Sequence, residues 1–258
     1  MAFSVTSRHS GTSGTSAQTL ATNSTTPTAS SLFLVGWASE TDNNATAPSQ
    51  QTPTGGGYSY SLVDKAGDAT AWEWNGTSGF RIAGGLYRAD VSGSPSAHTV
   101  TVDSFSGTTV AFYSAVCLDI TGHSSSTPVQ TKINGANVAA ASDTASGTIT
   151  LNSTPTTSNL VIAVFGAGAD GGGLPAVPTA GVGKTFTQVN AVGSLAACNV
   201  GMYYRVWDGS ESTTITCSDL GQQVGNWFGI AAEIPAAADG PPPTAPSLFL
   251  IRPSIRIA

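Results

Sequence analysis

The chain has 258 residues, enough for one large β domain or two small ones. Charged residues make up 9% of it, against roughly 25% in an ordinary soluble domain, and Gly, Ser, Thr, Ala and Asn fill the difference. The net charge is −6 and the nine basic residues are scattered, which argues against nucleic acid, because phosphate binding needs clustered Lys and Arg.

Residues 1–30 are Ser/Thr-rich, and the alternation in FSVTS and AQTLAT suits an edge strand. Strand-like phrases then follow at 32–38, 58–63, 70–74, 85–91, 99–103 and 110–120. A second series runs through 148–152, 160–167, 186–192, 200–207, 213–217 and 227–234. The second series repeats the first. LFLVGWA returns as LVIAVFGA, GGLYRADV as VGMYYRVW, and the closing phrase at 98–120 as that at 213–234. Spacing is nearly kept: Tyr87 and Tyr203 are 116 positions apart, Ile120 and Ile234 are 114 apart. The runs LVIAVF and VAFYSAVCLDI are almost continuously apolar, as central strands buried on both faces would be.

The sequence therefore predicts an all-β fold, an antiparallel jelly-roll-like β-sandwich with internal pseudo-duplication, each half giving about six strands to a pair of packed sheets. Its body covers 1–236, with halves at about 1–122 and 146–236; two small sandwiches joined around 121–145 are the alternative. The surplus of the first copy lies in 40–57 and 71–79, loops of the kind that present binding contacts. No apolar run reaches the roughly 18 residues of a membrane span, and the first residues show no secretory signal.

After Ile234 the composition shifts. Residues 237–258 form a Pro-rich linker and a strand-like C-terminal arm, SLFLIRPSIRIA. Leu248, Phe249, Leu250, Ile251, Arg252, Ile255, Arg256 and Ile257 are candidate subunit contacts, made by adding this strand to a neighbour's sheet. Folding back onto its own sheet is the other reading. With Arg252 and Arg256 set aside, seven basic residues face fifteen acidic ones, so a positive arm would meet an acidic body.

Signals for chemistry are sparse. GAGADG at 166–171 fits G-x-G-x-x-G but runs into a Gly- and Pro-rich stretch that cannot open a helix, and reads as a flexible turn. Trp72 and Trp74 are candidate glycan contacts, although in a strand they share a face from which Glu73 points away. A glycosidase would need a facing acid pair that no spacing suggests. His9, His98 and His123 are isolated in sequence, and no metal site or cofactor is expected. Cys117, Cys198 and Cys217 read as buried thiols. Asp119 and Glu233 occupy matching places before Ile120 and Ile234, where a repeated acid would accept turn or backbone hydrogen bonds.

The order SLFLVGW, YRAD, TVTVDSFSGTTVAFYSAVCLDITG, HSSSTPVQ, TPTTSNLVIAVF and WFGIAAEI resembles a β-sandwich domain of minor tail and other virion proteins of tailed phages infecting actinobacteria. The resemblance covers about 5–236. It implies a non-enzymatic virion component, a minor tail or capsid-decorating subunit, made in the host cytoplasm, present in several copies and partnered by other virion proteins. The alternative is a carbohydrate-binding adhesion module contacting a host surface glycan.

Overall fold

The computed structural model describes residues 2–13, 19–41, 51–66, 81–103, 111–130, 137–140, 146–169, 173–193, 198–220 and 224–238. Within them the chain is all β, with antiparallel sheets and no helix, and hence no helix long and apolar enough to cross a membrane. The strands are β1 (Ser4–Thr12), β2 (Thr19–Ala21), β3 (Leu32–Thr41), β4 (Ser61–Ala66), β5 (Arg81–Asp90), β6 (Thr101–Asp103) and β7 (Ala111–Thr121). They continue with β8 (Asn137–Ala140), β9 (Gly147–Thr150), β10 (Leu160–Ala169), β11 (Thr187–Gly193), β12 (Cys198–Val206), β13 (Thr214–Cys217) and β14 (Val224–Ile234).

Two five-stranded sheets are ordered β1-β7-β3-β5-β4 and β8-β14-β10-β12-β11, and two small sheets pair β2 with β6 and β9 with β13. Adding seven to every label of the first set gives the second. The large sheets lie face to face, with β7 on β12, β3 on β10 and β5 on β14. Leu32, Leu34, Leu86, Val116 and Leu118 of one sheet meet Leu160, Ile162, Val200, Met202 and Ile230 of the other.

The outer faces are covered as well. Phe33, Val35 and Trp37 of β3 turn away from the shared layer and pack with Leu20 and Val102 of the small β2–β6 sheet. In the second half, Val161, Ala163 and Phe165 of β10 pack with Ile149 of β9 and Ile215 of β13. The structure thus has four layers and three apolar interiors, where the sequence predicted two sheets and one. This explains the unbroken apolar runs: alternate residues of β3 and β10 enter different interiors. Each fully buried Leu, Ile or Phe contributes about 1.5–3 kcal/mol, so strands buried on both faces concentrate stability in the middle of each sheet.

Phe228 of β14 joins the two large sheets. Its ring lies over Gly166, its cross-strand partner on β10, and reaches Gly84 of β5 in the opposite sheet. A Cβ at either glycine would run into that ring. Gly166 and Gly168 continue β10, so the first part of the 166–171 motif is strand and not a turn. The stretch 121–145, read from sequence as a bridge, also contributes to the second sheet. Gln130 pairs with Glu233, and β8, which the sequence did not reveal, pairs with β14. Among the described residues each set holds seven strands where about six were expected.

Candidate functional site

The two matched acids are buried and do the same job. Asp119, on β7, accepts hydrogen bonds at Oδ2 from the Thr28 amide and from Arg8 Nε, each at 2.6 Å. Glu233, on β14, accepts at Oε1 from the Thr156 amide at 2.8 Å and from Asn159 Nδ2 at 2.5 Å. Thr28 and Thr156 each stand four residues before the first residue of a central strand, Leu32 or Leu160. Each turn contains a serine in the left-handed region, Ser30 at φ 58° and Ser158 at φ 73°. It is closed by a further backbone bond, Val91 N to Ser31 O in one half and Trp207 N to Asn159 O in the other. A carboxylate accepting several donors is a strong turn anchor, as the sequence suggested for this repeated acid.

A second pair of matched places differs between the halves. A glycine turn precedes β4, with Gly55 at φ 136° and Gly57 at φ 71°; another precedes β11, with Gly181 at φ 110° and Gly183 at φ 71°. Both close identically, Tyr58 N to Gly55 O and Lys184 N to Gly181 O. In the second half the residue after the turn is Lys184, whose Nζ lies 2.8 Å from Asp208 Oδ2. Arg205 joins this network, with Nε 2.7 Å from Oε1 of buried Glu211. Glu211 also accepts the amides of Asp208 and Gly209. The Lys184 ammonium, assisted by Ser210, holds the Asp208 carboxyl well below the usual carboxylate range.

In the first half the corresponding residues are aromatic. Tyr58 meets His98 edge-on, with ring centroids 5.2 Å apart. His98 stands three residues before β6, as Glu211 stands three before β13. The His98 and His9 rings are 4.7 Å apart, and His9 meets Phe33 at 5.4 Å with the rings nearly perpendicular. The histidines, isolated in sequence, therefore form a pair in the fold.

A β-bulge puts His9 there. Ser7 pairs with Leu118 and Ser10 with Val116, so Arg8 and His9 together oppose Cys117. Two residues facing one breaks the alternation and re-aims a side chain. Arg8 goes to Asp119 and His9 to the segment between β2 and β3. His9 is fully buried. Its Nδ1 lies 2.8 Å from the Asn23 carbonyl oxygen, which can only accept, so Nδ1 carries the proton. Nε2 is then the acceptor for the Thr25 hydroxyl at 3.2 Å. Burial is the chief reason that the His9 pKa falls below 6.5; the Asn23 bond opposes it, and His98 and Arg8 add to it. Nε2 of His98 is buried without a hydrogen-bond partner among the described residues.

Trp72, Trp74 and the arm residues Leu248, Phe249, Leu250, Ile251, Arg252, Ile255, Arg256 and Ile257 lie outside the described residues. Among the described residues no group of three or more His, Cys, Asp or Glu side chains could hold a metal ion. Cys117, Cys198 and Cys217 are buried thiols, as the sequence suggested. Burial raises the Cys117 thiol, and raises that of Cys217 to about 12. Since the thiolate is the reactive species, all three should resist a thiol reagent at neutral pH and react together once the chain is unfolded in denaturant. Rapid labelling of the native protein, followed by mass spectrometry, would contradict this. No protein-family model, no curated protein and no solved structure matches the chain.

Proposed function

We propose that the protein is a structural subunit of a tailed-phage virion, a minor tail or capsid-decorating component, built from two jelly-roll units that descend from one duplicated ancestor. Nested pairing supports the jelly-roll reading. The first strand of each unit pairs with the seventh, the second with the sixth and the third with the fifth, as in a rolled-up hairpin. Duplication is supported by the matching strand orders, acid anchors and left-handed serines, and by a bulge at the same place in β4 and β11. The virion assignment itself rests on the sequence resemblance.

The observation that carries the assembly reading is the character of the outer strands. Among the described residues β1, β4, β8 and β11 are outermost in the large sheets. Proteins normally protect such edges with charge, proline or a cover. Neither β8 (NVAA) nor β11 (TQVNAVG) has a charged residue or a proline. Their backbone groups suit pairing with another chain, and the apolar, basic arm at 247–258 is the segment proposed to supply that strand. The buried acids Asp119, Glu233 and Glu211 are engaged in closing turns, which fits a scaffold better than a reaction centre.

Purified protein should run in light-scattering chromatography as an oligomer, and removal of 247–258 should leave a folded body that enters particles poorly. A monomeric full-length chain, together with undiminished incorporation of the truncated one, would refute this function.

A further inference from the structure

We propose that His9, packed against His98, forms an acid-operated latch, closed when the His9 ring is neutral, that fastens β1 and the β2–β6 layer to the first large sheet. It is independent of the assembly reading. The latch lies where three otherwise separate segments meet: β1, residues 22–25 and the approach to β6. His9 fixes the second segment through the Asn23 carbonyl and the Thr25 hydroxyl. Thr25 in turn exchanges both backbone hydrogen bonds with His98, each at 3.1 Å. Around them, Asn23 N bonds to Ser10 O, Asn23 Oδ1 accepts from Ser10 N, and Thr22 Oγ1 accepts from Val100 N. Among the described residues the small sheet adds three paired positions to these bonds. Its hold on the body therefore depends on this cluster, on the backbone bonds of Thr54 with Thr101 and of Gln51 with Asp103, and on the apolar contacts of Leu20, Val100 and Val102.

The surroundings favour a neutral ring. From β1, Arg8 faces His9 with positive charge; from the approach to β6, the His98 ring packs against it. The negative group within reach is Asp119 of β7, which already receives Arg8 and the Thr28 amide. The third strand of the cluster, β3, offers Phe33, and the loop before β4 offers Tyr58 and Tyr60, all uncharged at neutral pH. Cys117, opposite the bulge, stays a thiol because it is buried. A proton on Nε2 would reverse the Thr25 hydroxyl bond and bury a charge beside a second imidazole.

The direction of the pH effect follows. The free side chain titrates at about 6.5 and the buried one lower, so the closed form is fully favoured above about 6.5. It weakens as pH falls toward the folded value, because the open state binds more protons. The matched place in the second half has no histidine; there Arg205 pairs with Glu211. That half is an internal control.

Hydrogen exchange of the full chain, compared at about pH 7.5 and about pH 5 after correction for the intrinsic rate, tests this. The amides of Thr22, Asn23, Thr25, His98 and Val100 should lose about tenfold or more of their protection at the lower pH. Those of Ser158, Thr179, Trp207 and Thr216 should keep theirs. His9→Asn, which retains a donor for the Asn23 carbonyl but cannot titrate, should abolish most of the difference. His98→Phe, which preserves the ring contacts, should reduce it and serves if the first variant does not fold. Equal protection at both pH values in the unmodified chain would overturn the latch, as would equal loosening of both halves or a response surviving in both variants. A response confined to Ala237, beside the half-buried His123, would overturn it too.

Discussion

Replacing Phe228 with Ala should destabilise the protein by about 3–5 kcal/mol, the usual cost of emptying a large buried aromatic site. The ring is fully buried and sits in the layer shared by the two large sheets. Its neighbours on both sides are glycine backbone, at Gly166 beneath it and Gly84 across from it. Backbone held in two sheets cannot collapse far into the space left behind, which places the cost toward the upper end. The complementary variant, Gly84→Ala, inserts a methyl where the ring lies and should cost about 1–3 kcal/mol by overpacking. Combined, the two should be less damaging than their sum, because the methyl then enters the vacated space. Urea unfolding of the single and double variants checks this; strict additivity would mean that the ring and Gly84 are not in contact.

Asp119→Ala should cost about 2–3 kcal/mol, because it strips acceptors from a buried amide and a guanidinium at once. Arg8 keeps some access to water, its side chain being 23% exposed, which moderates the loss. Glu233→Ala should behave alike, since it leaves the Thr156 amide and the Asn159 side chain without their shared acceptor. Asp119→Asn should cost less, because the amide oxygen can still take one of the two donors. The midpoint of chemical unfolding is the readout, with an unchanged slope showing that only the native state has weakened. An Asp119→Ala variant as stable as the parent would mean that the turn before β3 does not depend on its anchor.

The sequence made the middle of the fold legible and left its outside obscure. β3, β7, β10 and β14 announce themselves through apolar runs, because both of their faces are buried in different interiors. The phrases at 99–103, 148–152 and 213–217 and the alternation in AQTLAT mark β6, β9, β13 and β2 as strands, but segments burying only one or two side chains do not say which sheet they join. The third and fourth layers were not foreseen for that reason. β8, with the sequence NVAA, is too short to show a period and was not found at all. Asp119 and Glu233 could be found because the repeated phrases of the sequence marked them twice. His9 and His98 could not, since a bulge breaks the alternation around His9 and the partners are far apart along the chain. Comparing the halves at the glycine turns would have pointed to the place, where Tyr58 stands opposite Lys184.

The nested order of strand pairing bears on how the chain acquires its shape during synthesis. β1 leaves the ribosome early but finds its partner only when β7 follows, more than a hundred residues later. Until then an uncommitted strand must stay in solution, and such distant closure makes refolding slow, on the order of milliseconds to seconds. When β7 arrives, the first unit can complete its own ladders, yet the face bearing Leu34, Leu86 and Leu118 stays wet until β10, β12 and β14 emerge. Each nascent molecule therefore passes through an interval in which a finished sheet displays a greasy surface meant for its own unborn second half.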